Sequence, residues 1–108
     1  MKISMIGSGS WGIAATKMLS ENGHDLTLWS FDEKEAALLQ TERENPALLP
    51  GIRLPDTVRV TTDIACAQGA EIVVIATPSF AVFETAQKLR PYLNKKQVVV
   101  LLSKGFDK

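Results

Sequence analysis

The sequence predicts an α/β protein built on a doubly wound parallel sheet. Short apolar runs alternate with helical segments along the whole chain. One run, Glu71-Ile72-Val73-Val74-Ile75-Ala76, is too continuously apolar to face solvent on either side, as expected of a central strand with both faces covered. A glycine-rich turn joins the first apolar run to the first helical segment. With 108 residues the chain has room for one such domain, spanning 1–108.

Ile3 to Ile6 is an apolar run ending at glycine and reads as a buried strand. Trp11 to Asn22 follows with helical content (Ala14, Ala15, Met18, Leu19), and Gly23 supplies the left-handed stop. Leu26-Thr27-Leu28-Trp29 is a second strand, and Asp32 to about Arg43 a second helix with acids in its first turn, where they complement the helix dipole. Asn45 to Pro55 holds three prolines and a glycine, so it is an ordered loop. Val58-Arg59-Val60 is a brief strand, and Thr62 to Gln68 a short helix that Thr62 or Asp63 caps. After the Glu71–Ala76 strand, Thr77-Pro78-Ser79 turns into a helix over Phe80 to Leu89. Phe80 and Phe83 lie three apart there, and one face of the pair is expected in the core. Gln97 to Leu102 is a final β-branched strand, closed by Ser103-Lys104-Gly105.

Twelve Lys and Arg balance twelve Asp and Glu, with the signs interspersed. No basic run is present to follow a phosphate backbone, so a nucleic-acid partner is not expected. The first residues run straight into a strand pattern, and no stretch approaches the roughly 18 apolar residues of a membrane helix. A cytoplasmic protein without a membrane partner is the expectation. Cys66 is the single cysteine, so an intramolecular disulfide is excluded, and it is read as an inert thiol among small apolar residues. No metal site is expected. His24 precedes a strand rather than following one, which places it at the wrong end of the sheet for a ligand.

In a doubly wound sheet, ligands bind outside the carboxyl ends of the strands. Directly after the first strand, Gly7-Ser8-Gly9-Ser10-Trp11-Gly12 fits the pattern Gly-x-Gly-x-x-Gly and opens a helix. That context makes it a dinucleotide phosphate loop of the Rossmann type. Gly7 permits the tight turn, Gly9 the approach of a diphosphate, and Gly12 close packing of helix on sheet. Free N–H groups at the helix start then face the anion. The second strand runs into Trp29-Ser30-Phe31-Asp32-Glu33, with two acids and no arginine to accept a ribose 2′-phosphate. This favours NAD, with NADP as the alternative, and Asp32 is either the ribose acceptor or the cap of the following helix. Phe31 is placed against the adenine ring.

These features together resemble the N-terminal part of the NAD(P)-dependent glycerol-3-phosphate dehydrogenases. The residues that carry the resemblance are the Gly-x-Gly-x-Trp-Gly loop, Leu28-Trp29, the run Glu44-Asn45-Pro46-Ala47-Leu48-Leu49-Pro50-Gly51-Ile52-Arg53-Leu54-Pro55, the Thr77-Pro78-Ser79 turn and Lys104-Gly105. The resemblance implies a hydride transfer between NAD(P)H and dihydroxyacetone phosphate, giving sn-glycerol 3-phosphate for phospholipid synthesis. It implies that Ser10 and Trp11 meet the cofactor diphosphate and ribose, that Phe31 occupies the adenine region, and that Lys104 touches both cofactor and substrate. An ammonium at a strand end can hold a substrate oxygen where charge develops. Pro78 and Phe80, at the fourth strand end, complete the expected cofactor set beside Gly7, Ser8, Gly9, Ser10, Trp11, Gly12, Phe31, Asp32 and Lys104.

The resemblance further implies a helical second domain, carrying another catalytic lysine and most contacts to the substrate phosphate. The chain is therefore expected to be the first part of a longer enzyme, inactive alone, with a small-molecule phosphate as substrate and a homodimer compatible with the full-length protein. Bacterial members commonly carry arginine where Phe31 or Asp32 stands, and this departure weighs against NADP. The same glycine loop also serves ketopantoate reductases, hydroxyacyl-CoA dehydrogenases and non-enzymatic NAD-sensing modules. The Leu-Pro-Gly run and Lys104-Gly105 count against those alternatives.

Overall fold

The computed structural model describes residues 1–102. Its strands are β1 (Lys2–Ile6), β2 (Asp25–Trp29), β3 (Arg59–Thr61), β4 (Ile72–Ile75) and β5 (Val98–Leu101). The α-helices are α1 (Ser10–Glu21), α2 (Glu33–Glu42) and α3 (Val82–Leu89). All pairings are parallel, in the order β3-β2-β1-β4-β5, so the chain winds outward first to one side of β1 and then to the other. The reversal falls between β1 and β4, whose registers pair Ile6 with Ile75. Ligand-bearing loops are expected above that point.

Alternation along each strand divides the core into two layers. Ile3, Met5, Leu26, Leu28 and Val74 pack on Ile13 of α1, Leu39 of α2, and Leu54 and Val58 of the long loop. Ile6, Trp29, Val73 and Ile75 face the other way, onto Ala67 and Leu89. Each fully buried Leu or Ile contributes about 1.5–3 kcal/mol relative to exposure. β5 differs: Val98, Val99, Val100 and Leu101 are all exposed, so the edge of the sheet is apolar on both faces.

Three elements depart from the sequence reading. The third strand begins at Arg59 rather than Val58, which instead packs in the core. Between the cap Asp63 and the left-handed Gly69 there is room only for a 3-10 turn, Ile64–Ala67, in place of a helix over Thr62 to Gln68. Asp63 caps it by accepting from the Ala65 N–H at 3.0 Å. The helix expected from Phe80 opens instead with a 3-10 turn, Ser79–Ala81, closed by the Ala81 N–H on the Pro78 carbonyl. That turn rotates Phe80 and Phe83 outward, and both are exposed. The expectation of a core position within that pair is therefore wrong, and α3 buries Thr85 and Leu89 instead.

The loop between α2 and β3 is ordered by one side chain. Arg43 ends α2 in the left-handed region, at φ 63°, a conformation that costs a non-glycine residue energy. Its guanidinium donates to the carbonyls of Pro55 (2.6 Å) and Val58 (2.7 Å). The Leu54 N–H returns to the Arg43 carbonyl at 2.6 Å, and Leu54 is fully buried. The Leu-Pro-Gly run is thereby clamped beside α1, where Ser10 Oγ donates to the Leu48 carbonyl at 3.3 Å.

Candidate functional site

The turn out of β1 depends on backbone that only glycine tolerates. Gly7 has φ 131°, and a Cβ there would lie 2.6 Å from the Ala76 carbonyl oxygen. Its N–H donates to the Trp29 carbonyl at 3.0 Å, tying the end of β1 to the end of β2. At Gly12 a Cβ would lie 2.1 Å from the Gly7 carbonyl oxygen, so α1 rests directly on the loop that precedes it. Gly9 is different. A Cβ there would meet nothing within 4 Å, so the surface above Gly9 is open to a ligand.

Gly9 is also the N-cap of α1, and no side chain accepts a hydrogen bond at this helix start. Its first turn holds no acid. The dipole end and free N–H groups of a 12-residue helix thus face the open surface above Gly9, which suits an anion. Trp11 is about half exposed on the same turn and is not a core residue.

Phe31 and Phe80, from the ends of β2 and β4, are exposed to 73% and 89%. With Trp29, Thr77, Pro78 and Thr85 they line a cavity of about 210 Å³. Drug-sized pockets run to about 300–1,000 Å³, so this one has the scale of a single planar ring system. Thr77 is buried, and its hydroxyl has no hydrogen-bond partner. An orphaned hydroxyl in a cleft is costly unless something outside the chain pairs with it. The sequence singled out the turn that Thr77 opens but not this side chain, because its lack of a partner exists only in the folded chain.

Gly7, Ser8, Gly9, Ser10, Trp11 and Gly12 thus meet at the end of β1, and Phe31, Pro78 and Phe80 gather around one cavity nearby. Asp32 does not line that cavity. It caps α2 through Oδ1, which accepts from the Lys34 N–H at 2.9 Å. The sequence reading also missed Glu35, whose carboxylate accepts from Ser8 Oγ at 2.8 Å. Lys104 lies outside the described residues. Cys66 is half-buried, and burial pushes its thiol up to about 11, which fits the inert reading. Among the described residues no three His, Cys, Asp or Glu side chains gather to hold a metal, and no helix is long and apolar enough to cross a membrane.

A family model described as the N-terminus of NAD-dependent glycerol-3-phosphate dehydrogenase matches residues 2–108. The chain belongs to this family. The glycerol-3-phosphate dehydrogenase (NAD(P)+) of Fusobacterium nucleatum is 43% identical over 99% of the chain, which covers 32% of that relative. The corresponding protein of Syntrophomonas wolfei is 46% identical over 98% of the chain and is covered to 31%. A crystal structure of glycerol-3-phosphate dehydrogenase from Coxiella burnetii superposes with a TM-score of 0.87 at 30% identity, over 94% of this chain and 32% of that one. The chain thus spans about a third of the length of the dehydrogenases it matches. It is an N-terminal dinucleotide-binding domain of the dehydrogenase family, with the fold the sequence predicted.

Proposed function

We propose that this domain binds NAD across the carboxyl end of its sheet, with the diphosphate over Gly9 and the start of α1. The adenine then lies in the cavity between Phe31 and Phe80. The observation that carries the reading is the uncapped start of α1 beneath open space at Gly9, in a loop whose other two glycines, Gly7 and Gly12, leave no room for a Cβ. Pro78 forms the floor of the turn that presents Phe80, and Ser10 and Trp11 offer a hydroxyl and an indole beside the diphosphate path.

When bound, the nicotinamide cofactor supplies a hydride donor or acceptor. The chain's own residues bind and orient it. Gly7 and Gly12 fix the loop, the α1 N–H groups meet the diphosphate, and the two phenylalanines exclude water from the adenine. In the complete enzyme the reaction is the interconversion of dihydroxyacetone phosphate and sn-glycerol 3-phosphate, which feeds phospholipid synthesis. The names of the relatives and the family match support this assignment. Lys104, three residues beyond β5 in the sequence, is proposed as the ammonium that contacts the substrate oxygen, with the substrate phosphate held by residues of a second, helical domain. Soluble, cytoplasmic action on a small phosphate ester, without nucleic acid or membrane and with homodimerisation of the full-length enzyme, completes the proposal.

In a full-length enzyme containing this domain, Lys104→Ala is expected to lower kcat by about a hundredfold while changing the Kd for NADH by less than about threefold. Equal losses in both would make Lys104 a cofactor residue instead.

A further inference from the structure

We propose that Asn22 is a site of spontaneous covalent modification, through attack of the Gly23 nitrogen on its side-chain amide, and that the cap at the end of α1 holds this reaction in check. The asparagines of the chain are Asn22, Asn45 and Asn94. Asn45 is buried and precedes Pro46, whose nitrogen has no proton to give up. Asn94 precedes Lys95, whose side chain crowds the approach of its nitrogen. Asn22 precedes Gly23, which has no side chain, and both residues are exposed. In the reaction the Gly23 nitrogen bonds to Cγ of Asn22 and loses its proton, while Nδ2 departs as ammonia. Water then opens the resulting five-membered imide. Opening at the side-chain carbonyl leaves aspartate, and opening at the main-chain carbonyl leaves isoaspartate, with an extra CH2 in the backbone between α1 and β2.

The fold engages each group that must move. Gly23 takes the left-handed conformation, at φ 92°, and donates its N–H to the Ser20 carbonyl at 3.1 Å. The His24 N–H donates to the Leu19 carbonyl at 3.2 Å, which completes a Schellman motif at the end of α1. The leaving amide is held as well, because Asn22 Nδ2 donates to the Met18 carbonyl at 3.0 Å. Asn22 has ψ 12°, which nearly eclipses the Gly23 nitrogen with the nitrogen of Asn22 itself and turns it away from Cβ. Ring closure therefore requires the last turn of α1 to open, a local event that needs no global unfolding. Conversion then works against reclosure. It replaces the donor to Met18 with a carboxylate at the negative end of the helix dipole.

The test is incubation of this chain at mildly alkaline pH, folded and in concentrated guanidinium chloride, with conversion at Asn22 followed by peptide mass mapping and isoaspartate assay. Conversion in the folded chain is expected to be slower by at least about tenfold. Glu21→Gly leaves Asn22-Gly23 intact, weakens the last turn of α1 and removes the exposed Lys17–Glu21 pair. With native helix content shown by circular dichroism, this variant is expected to convert about threefold faster when folded and at an unchanged rate when denatured. Equal rates in the folded and denatured unsubstituted chain, or an unchanged folded rate in Glu21→Gly, would overturn control by the cap. Absence of conversion at Asn22 in the denatured chain would overturn the site itself.

Discussion

Helices α1 and α2 each begin just after a parallel strand, at the same end of the sheet, yet their first turns are built in opposite ways. α2 satisfies its own start: Asp32 caps it, and Glu33 and Glu35 place negative charge in its first turn. α1 has glycine at the cap, no side chain accepting from it and no acid in its first turn. A helix N-terminus needs acceptors from somewhere. Where the chain supplies them the end is structural, and where it withholds them beneath open space the end is left for an anion. The comparison also separates two kinds of glycine in one loop: Gly7 and Gly12, where the fold leaves no room for a side chain, and Gly9, where it does.

The largest effect should come from Gly12→Ala, which forces a methyl group to 2.1 Å from the Gly7 carbonyl oxygen. Backbone must move, and urea unfolding should show a loss of about 3 kcal/mol or more. Gly9→Ala is the contrasting case, since its methyl group meets no protein atom within 4 Å. Stability should change by less than about 0.5 kcal/mol, while NADH affinity falls at least about tenfold by calorimetry. If Gly9→Ala unfolds the domain instead, the distinction between structural and ligand glycines fails. Phe80→Ala should leave stability nearly unchanged, because the ring is 89% exposed. It should weaken NADH binding by about 1–2 kcal/mol, the usual scale for an aromatic ring stacked on a base. Smallest is Asp32→Ala, expected to cost about 1 kcal/mol of stability through loss of the α2 cap, whereas Asp32→Asn, which can still cap, should restore most of it. Equal losses in the two variants would assign the effect to charge rather than to capping.

Much of this molecule was legible in the order of its residues because the relevant interactions are local. Gly-x-Gly-x-x-Gly between a strand and a helix acts through neighbouring backbone, and the unbroken Ile72–Ile75 run implies cover on both faces. The acids at the start of α2 implied a capped helix, and Asp32 is that cap. What escaped the reading depends on distant partners. The Ser8–Glu35 bond joins residues 27 apart, and neither side chain alone signals the other. The clamp from Arg43 to Pro55 and Val58 exists only once the loop has folded back over α2. Phe80 and Phe83 have helical spacing and an apolar pattern, but the 3-10 turn before α3 sets the direction they face. Periodicity gives spacing around a helix and not the rotation of that helix against the sheet.

The most direct test of the account is titration of this chain with NADH, following heat and the fluorescence of Trp11, which is about half exposed on the first turn of α1. The account predicts saturable binding to one site, with a change in Trp11 emission, and loss of both signals in Gly9→Ala at unchanged thermal stability. Binding of equal strength in the chain and in Gly9→Ala, or no saturable binding by the folded chain at all, would contradict it.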